Sequence, residues 1–128
     1  MPIQIAPEVD ALSKDIQEEY TEVASNPELT FHFHHGLPLA KILEYPEELL
    51  EGLPLEAVES FVGVGNSFYL GKIAPGETVL DIGSGGGFDS IIAANMVGPT
   101  GKVIGVDMTD AMLEKSRNTA NNLGLTQL

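Results

Sequence analysis

The sequence has no cysteine and no tryptophan, and only six lysines and arginines stand against nineteen aspartates and glutamates in its 128 residues. Without cysteine there is no disulfide, no thiolate metal site and no thiol nucleophile. A formal charge of −13 repels a phosphate backbone or an anionic bilayer surface, so neither nucleic acid nor a membrane is expected as a partner. No apolar run approaches the roughly 18 residues of a bilayer span. The opening "MPIQIAPEVD" also lacks the basic region and apolar core of a signal peptide. A cytoplasmic protein is the expectation. Aromatic residues are scarce, yet a hydrophobic content of 43% suffices for a packed core.

What is present divides near Gly71. Residues 1–70 carry 13 acidic and 2 basic side chains and six of the eight prolines, whereas residues 71–128 carry 6 acidic and 4 basic. The first part reads as short helices joined by turns, a helical cap. In "PEVDALSKDIQEEYTEVASNP" the apolar residues Val9, Leu12, Ile16, Tyr20 and Val23 recur at helical spacing, with Asp15, Glu18, Glu19 and Glu22 facing water. This stripe predicts a helix packed over a sheet. Further helical pieces are expected at 39–43, 46–50 and 54–61, the last with Val58 and Phe61 inward, and "GVGNSFYLG" follows as a loop.

After Gly71 the pattern alternates. "ETVLDIG" and "GKVIGVDM" are short, nearly all-apolar runs, as expected of parallel strands buried on both faces. "FDSIIAANMVG" is a helix with Ile91, Ile92, Met96 and Val97 available for packing, and "TDAMLEKSRNTANNLG" is a second helix, N-capped by Thr109 and stopped at Gly124. Strand, helix, strand, helix is the start of an open α/β sheet of Rossmann-like type.

The first strand runs into "TVLDIGSGGGFDS", where Gly83, Gly85 and Gly87 mark the strand-to-helix turn. Glycine there permits positive φ and lets a ligand approach the main chain, and the helix start offers free N–H groups. The dinucleotide fingerprint G-x-G-x-x-G fails, because a third glycine counted from Gly83 would fall on Phe88. The pattern is instead Asp81-x-Gly83-x-Gly85-x-Gly87, with Asp107 twenty residues beyond the loop at the end of the second strand. A carboxylate there accepts hydrogen bonds from both ribose hydroxyls. Two acids beside the ligand suit a cationic, phosphate-free nucleoside such as S-adenosylmethionine, with Asp81 toward its ammonium, Asp107 on the ribose and Met108 against the adenine.

"TVLDIGSGGG" resembles motif I of the class I S-adenosylmethionine-dependent methyltransferases, and "VIGVDM" resembles their second strand with its ribose-binding acid. The stretch from Gly63 to about Gly124, with its G-x-G-N, GPTGK and DMT segments, is similar to the arsenite methyltransferase group. The resemblance implies S-adenosylmethionine as cofactor and methyl transfer to a small-molecule acceptor. It places Asp81, Gly83, Ser84, Gly85 and Gly87 on the methionine side and Asp107 and Met108 on the adenosine side. Arsenite methyltransferases hold arsenic through cysteine thiolates; the absence of cysteine, with Val64 in "GVGN", argues against arsenite here.

The family sheet has seven strands and this sequence supplies two, a class I fold truncated after two βα units. Either further chain or a second copy is expected to complete the sheet. The leading function is therefore a small-molecule methyltransferase. The alternative is a catalytically incomplete nucleotide-binding or self-associating module. In "FHFHHG", His32, His34 and His35 are read as loop or interface histidines, with no metal site expected. Asn66 and Phe68 are candidates to line a pocket from the loop before the first strand, and Asp89 is read chiefly as a first-turn helix acid.

Overall fold

The computed structural model describes residues 8–128. Helix α1 runs over Val9–Ser25, followed by three short helices, α2 (Gly36–Ile42), α3 (Glu47–Leu50) and α4 (Leu55–Val58). A 3-10 turn at Ser67–Leu70 leads into β1 (Thr78–Ile82), α5 (Phe88–Val97), β2 (Lys102–Val106) and α6 (Asp110–Asn122). The strands pair in parallel, with Asp81 opposite Gly105 and Ile82 opposite Val106. The functional loop therefore leaves β1 level with the end of β2.

Helix α5 is the centre of the molecule. Its Ile91, Ile92, Ala93, Ala94 and Val97 are all buried, consistent with an almost wholly apolar "SIIAANMV". One side, through Ala93, Ala94 and Val97, packs on the sheet at Val79 and Val103. The other side, through Phe88 and Ile92, packs with Leu39, Ala40, Tyr45, Val58 and Phe61 of the preceding helical segment. Tyr45, Phe61 and Phe88 meet there ring to ring, with Phe61 and Phe88 stacked at 4.0 Å between centroids. On the sheet side, Gly105 of β2 lets the loop and the first turn of α5 sit close, since a Cβ on it would come within 3.0 Å of the Ser84 hydroxyl and 3.2 Å of the Ser90 hydroxyl.

Several expectations are corrected. The strands are covered on one face alone: Val79 and Val103 point into the core, while Leu80 (59% exposed), Ile82, Ile104 and Val106 face outward. The described residues supply one helical layer against this sheet, and the apolar residues of the second face have nothing over them. Helix α1 packs against α6, and its stripe is buried at Val23 but open at Val9 and Leu12. The reason is position: the first turns of α1 extend past the elements that cover its C-terminal end. Thr109 precedes α6 as expected, but its hydroxyl makes no cap bond. Asp107 Oδ1 takes the Thr109 N–H at 2.8 Å instead. The outer edge of β2 is partly occupied, because Val103 N–H donates to the Gln127 carbonyl at 2.8 Å.

Three partly buried ties fix the helical segment. Lys115 Nζ on α6 donates to Glu59 Oε1 at 2.6 Å and to the Ala24 carbonyl at 3.3 Å, which joins α6, the end of α4 and the end of α1. His35 Nδ1 lies 3.1 Å from the Glu59 carbonyl. Among the described residues no group of His, Asp and Glu is placed to hold a metal ion, and none of the helices is long and apolar enough to cross a membrane.

Candidate functional site

At the end of β1 the chain turns sharply. Gly83 (φ 75°) and Gly85 (φ 55°) adopt the left-handed conformation that side chains resist, and a Cβ on either would project into open space. The turn is anchored across the sheet. Gly83 N–H and Ser84 N–H both donate to the Val106 carbonyl, at 2.7 and 3.0 Å. Gly85 N–H donates to Asp107 Oδ2 at 2.9 Å. Asp107 thus accepts one main-chain hydrogen bond on each oxygen, and each oxygen retains acceptor capacity for a ligand hydroxyl.

The loop opens onto a cleft of about 880 Å3, the size expected for a cofactor or drug-sized molecule. Asp81, Gly83, Ser84, Gly85, Asp107 and Met108 all line it. Gly87 stands behind the loop: a Cβ there would meet the Ser116 hydroxyl at 2.5 Å, so this glycine lets α6 pack close and begins α5 in a left-handed conformation. Gly86 takes its place in the wall and is pressed against Ser60, whose hydroxyl lies 2.6 Å from where a Cβ would be. Asn66 also lines the cleft, whereas Phe68 lines a smaller neighbouring cavity and packs against Tyr45. The cap contributes as well: Tyr20 reaches the wall and Gln17 Nε2 donates to the Met108 carbonyl at 3.1 Å.

The electrostatics are one-sided. Asp81, Asp89 and Asp107 line the cleft and, among the described residues, no lysine, arginine or histidine does. Ser90 Oγ donates to Asp81 Oδ2 at 2.6 Å, and the Tyr45 hydroxyl donates to Asp89 Oδ1 at 2.7 Å. Burial pushes the Asp89 carboxyl up to about 6; the Tyr45 hydrogen bond opposes that shift and the nearby Asp81 charge adds to it. Burial, followed by the neighbouring Asp89, raises the Tyr45 phenol as well. Two further groups want a partner. Ser84 and Ser60 are 8% and 2% exposed at the cleft wall, and their hydroxyls, closed off from the cleft itself, have no hydrogen bond among the described residues. Such buried orphans are uncommon in a finished core.

Sequence reasoning did not anticipate Ser60, Tyr20, Met112 or the wall from Phe61 to Gly65. It also treated Asp89 as a helix charge, although the structure places it in the cleft. Its position one step past Phe88, where the first turn of α5 faces back toward β1, was the available signal.

Residues 73–128 match a family described as a methyltransferase domain. The second part of this chain is similar to methyltransferase domains. A 62-residue segment is 58% identical to an arsenite methyltransferase of Halobacterium salinarum, covering 48% of this chain and 16% of that protein. Among solved structures, an arsenic (III) S-adenosylmethionine methyltransferase from Chlamydomonas reinhardtii is 38% identical, with a TM-score of 0.43, over 64% of this chain and 24% of that one. A SAM-dependent methyltransferase from Aquifex aeolicus is 24% identical, with a TM-score of 0.48, over 87% of this chain and 43% of that one. The chain spans less than half the length of each of these relatives. The cleft has glycines that leave room for a ligand beside the main chain and carboxylates without competing cations among the described residues.

Proposed function

We propose that this chain forms the cofactor-binding part of an S-adenosylmethionine-dependent methyltransferase acting on a small molecule. The observation that carries the reading is the convergence in one cleft of the Gly83–Gly85 turn and Asp107, joined by the Gly85 N–H to Asp107 bond. In this arrangement Asp107 would accept the ribose hydroxyls, Met108 would lie against the adenine and the glycine turn would receive the methionine portion. The cofactor supplies an electrophilic methyl group. The chain's part is to hold and orient it, and orientation alone is worth several orders of magnitude in a displacement reaction.

The absence of basic side chains in the cleft disfavours a pyrophosphate-bearing nucleotide and suits a cationic one. This chain itself brings no thiolate to an acceptor, having no cysteine. The test is calorimetric titration of the purified chain with S-adenosylhomocysteine. Micromolar binding that Asp107→Ala abolishes is expected. A folded chain that binds nothing at millimolar ligand overturns the reading.

A further inference from the structure

Residues 62–66 form one wall of the cleft, with glycine at positions 63 and 65 and a fully exposed Val64 between them. Among the described residues, the main chain of 62–65 makes a single hydrogen bond: the Tyr45 hydroxyl lies 3.3 Å from the Gly65 carbonyl. Beside it the Asn66 side-chain amide donates to the Glu44 carbonyl at 3.3 Å. Glu44 (φ 57°) is the one non-glycine residue among those described in the left-handed conformation, a strain that concentrates where a fold has a moving part. The same Tyr45 hydroxyl lies 2.7 Å from Asp89 Oδ1. It carries one hydrogen, so it serves one of these acceptors well at a time, and the two distances show it committed to Asp89. Its ring is held by edge contacts with Phe61, Phe68 and Phe88, so the hydrogen can change sides while the ring stays. An ionised Asp89 is an acceptor only and claims that hydrogen. A protonated Asp89 has a hydrogen of its own to give to the Tyr45 oxygen, which frees the phenol hydrogen for the Gly65 carbonyl.

We propose that the Tyr45 hydroxyl is a proton-dependent latch on the cleft wall: it ties down residues 62–66 when Asp89 is protonated and lets them go when Asp89 is ionised. Closing takes up one proton from solvent at Asp89 and rotates the phenol hydrogen, while Tyr45 itself stays neutral. Burial places the switching point near pH 6. The other titratable groups of the wall are Asp81 on β1, Asp107 after β2 and Tyr20 on α1. The Asp81 charge favours the protonated form of Asp89, and Asp107 is committed to two main-chain N–H groups. In the turn that carries Tyr45, the Glu44 carboxylate accepts from the Tyr69 hydroxyl at 3.5 Å. The latch works in the empty cleft and is independent of the ligand it takes, so it stands or falls separately from the cofactor reading.

The test is an NMR titration of the whole chain, without ligand, across the Asp89 midpoint near pH 6. It follows the Asp89 carboxyl carbon and the Asn66 amide nitrogen, which is bonded to the Gly65 carbonyl carbon and responds when that carbonyl gains or loses a hydrogen bond. Both signals are expected to titrate with one midpoint. Tyr45→Phe keeps the ring and removes the hydroxyl, so Asp89 should still titrate while the Asn66 response is lost. A charge acting on Asn66 through space would survive that substitution, and an Asn66 titration unchanged in Tyr45→Phe overturns the proposal. So does an Asn66 signal that stays flat in the wild-type chain while Asp89 titrates. Should Tyr45→Phe fail to fold, Asp89→Asn removes the titrating group and leaves Tyr45 in place. Loss of the Asn66 midpoint is then expected, and its persistence overturns the latch.

Discussion

At the scale of single residues, Asp89 weighs on stability. Its carboxyl titrates near 6 in the fold against an ordinary value of 3.8, so the folded chain holds this proton more tightly than the unfolded one. Stability from this group is therefore greatest below about pH 4, falls as pH rises, and carries its full penalty above about pH 6. The shift corresponds to about 2 to 3 kcal/mol. Asp89→Asn is expected to raise the unfolding free energy by up to that amount at pH 8, and by clearly less at pH 5, in urea titrations. Equal effects at both pH values would show that the buried charge is not the cause. The two glycines of the turn have the opposite character. Gly83 and Gly85 have open space on their Cβ side, so the constraints on them are backbone conformation and room for a ligand rather than packing.

At the scale of elements, the ion pair between Lys115 and Glu59 joins α6 to the helical segment, with side chains only 14% and 28% exposed. Breaking a buried pair from one side leaves the other charge stranded, at about 3 to 5 kcal/mol when burial is complete. Lys115→Met is expected to cost roughly half that here, because Glu59 keeps some access to water. The drop would be read in the denaturation midpoint, and Glu59→Gln combined with Lys115→Met should recover part of it. Most elements were legible in the sequence because their signals are local. The α1 stripe, the apolar strand runs and the Gly98 and Gly124 stops each occupy a few consecutive residues, and all fall where expected. Partnerships were not legible. Tyr45 and Asp89 lie 44 residues apart, and nothing in either neighbourhood marks the other. The same limit hid Ser60, an ordinary serine in sequence that gains meaning from its place against Gly86. The periodicity of α1 identified its inward face but not how far the molecule reaches along it, so Val9 and Leu12 stay exposed.

At the scale of the whole molecule, the outward face of the sheet dominates. Leu80, Ile82, Ile104 and Val106 form an apolar surface on paired strands, and β1 pairs only with β2 among the described residues. An uncovered apolar sheet face with a free strand edge favours association. We expect the isolated 128-residue chain to self-associate, with a sedimentation coefficient that rises over the micromolar range. Ile104→Lys, which lies outside the cleft and keeps its strand, should shift the chain toward monomer while leaving S-adenosylhomocysteine affinity within about threefold. A wild-type chain that stays monomeric at all concentrations would sink this expectation.

The one-signed cleft also bears on turnover. A sulfonium that gives up its methyl becomes a neutral sulfide, so the spent nucleoside leaves the reaction one positive charge poorer than it arrived. Three carboxylates and no basic side chain in the wall therefore attract the incoming cofactor more strongly than its product. Within this reading, the charge of the cleft favours exchange of spent cofactor for fresh, a bias that added salt would weaken.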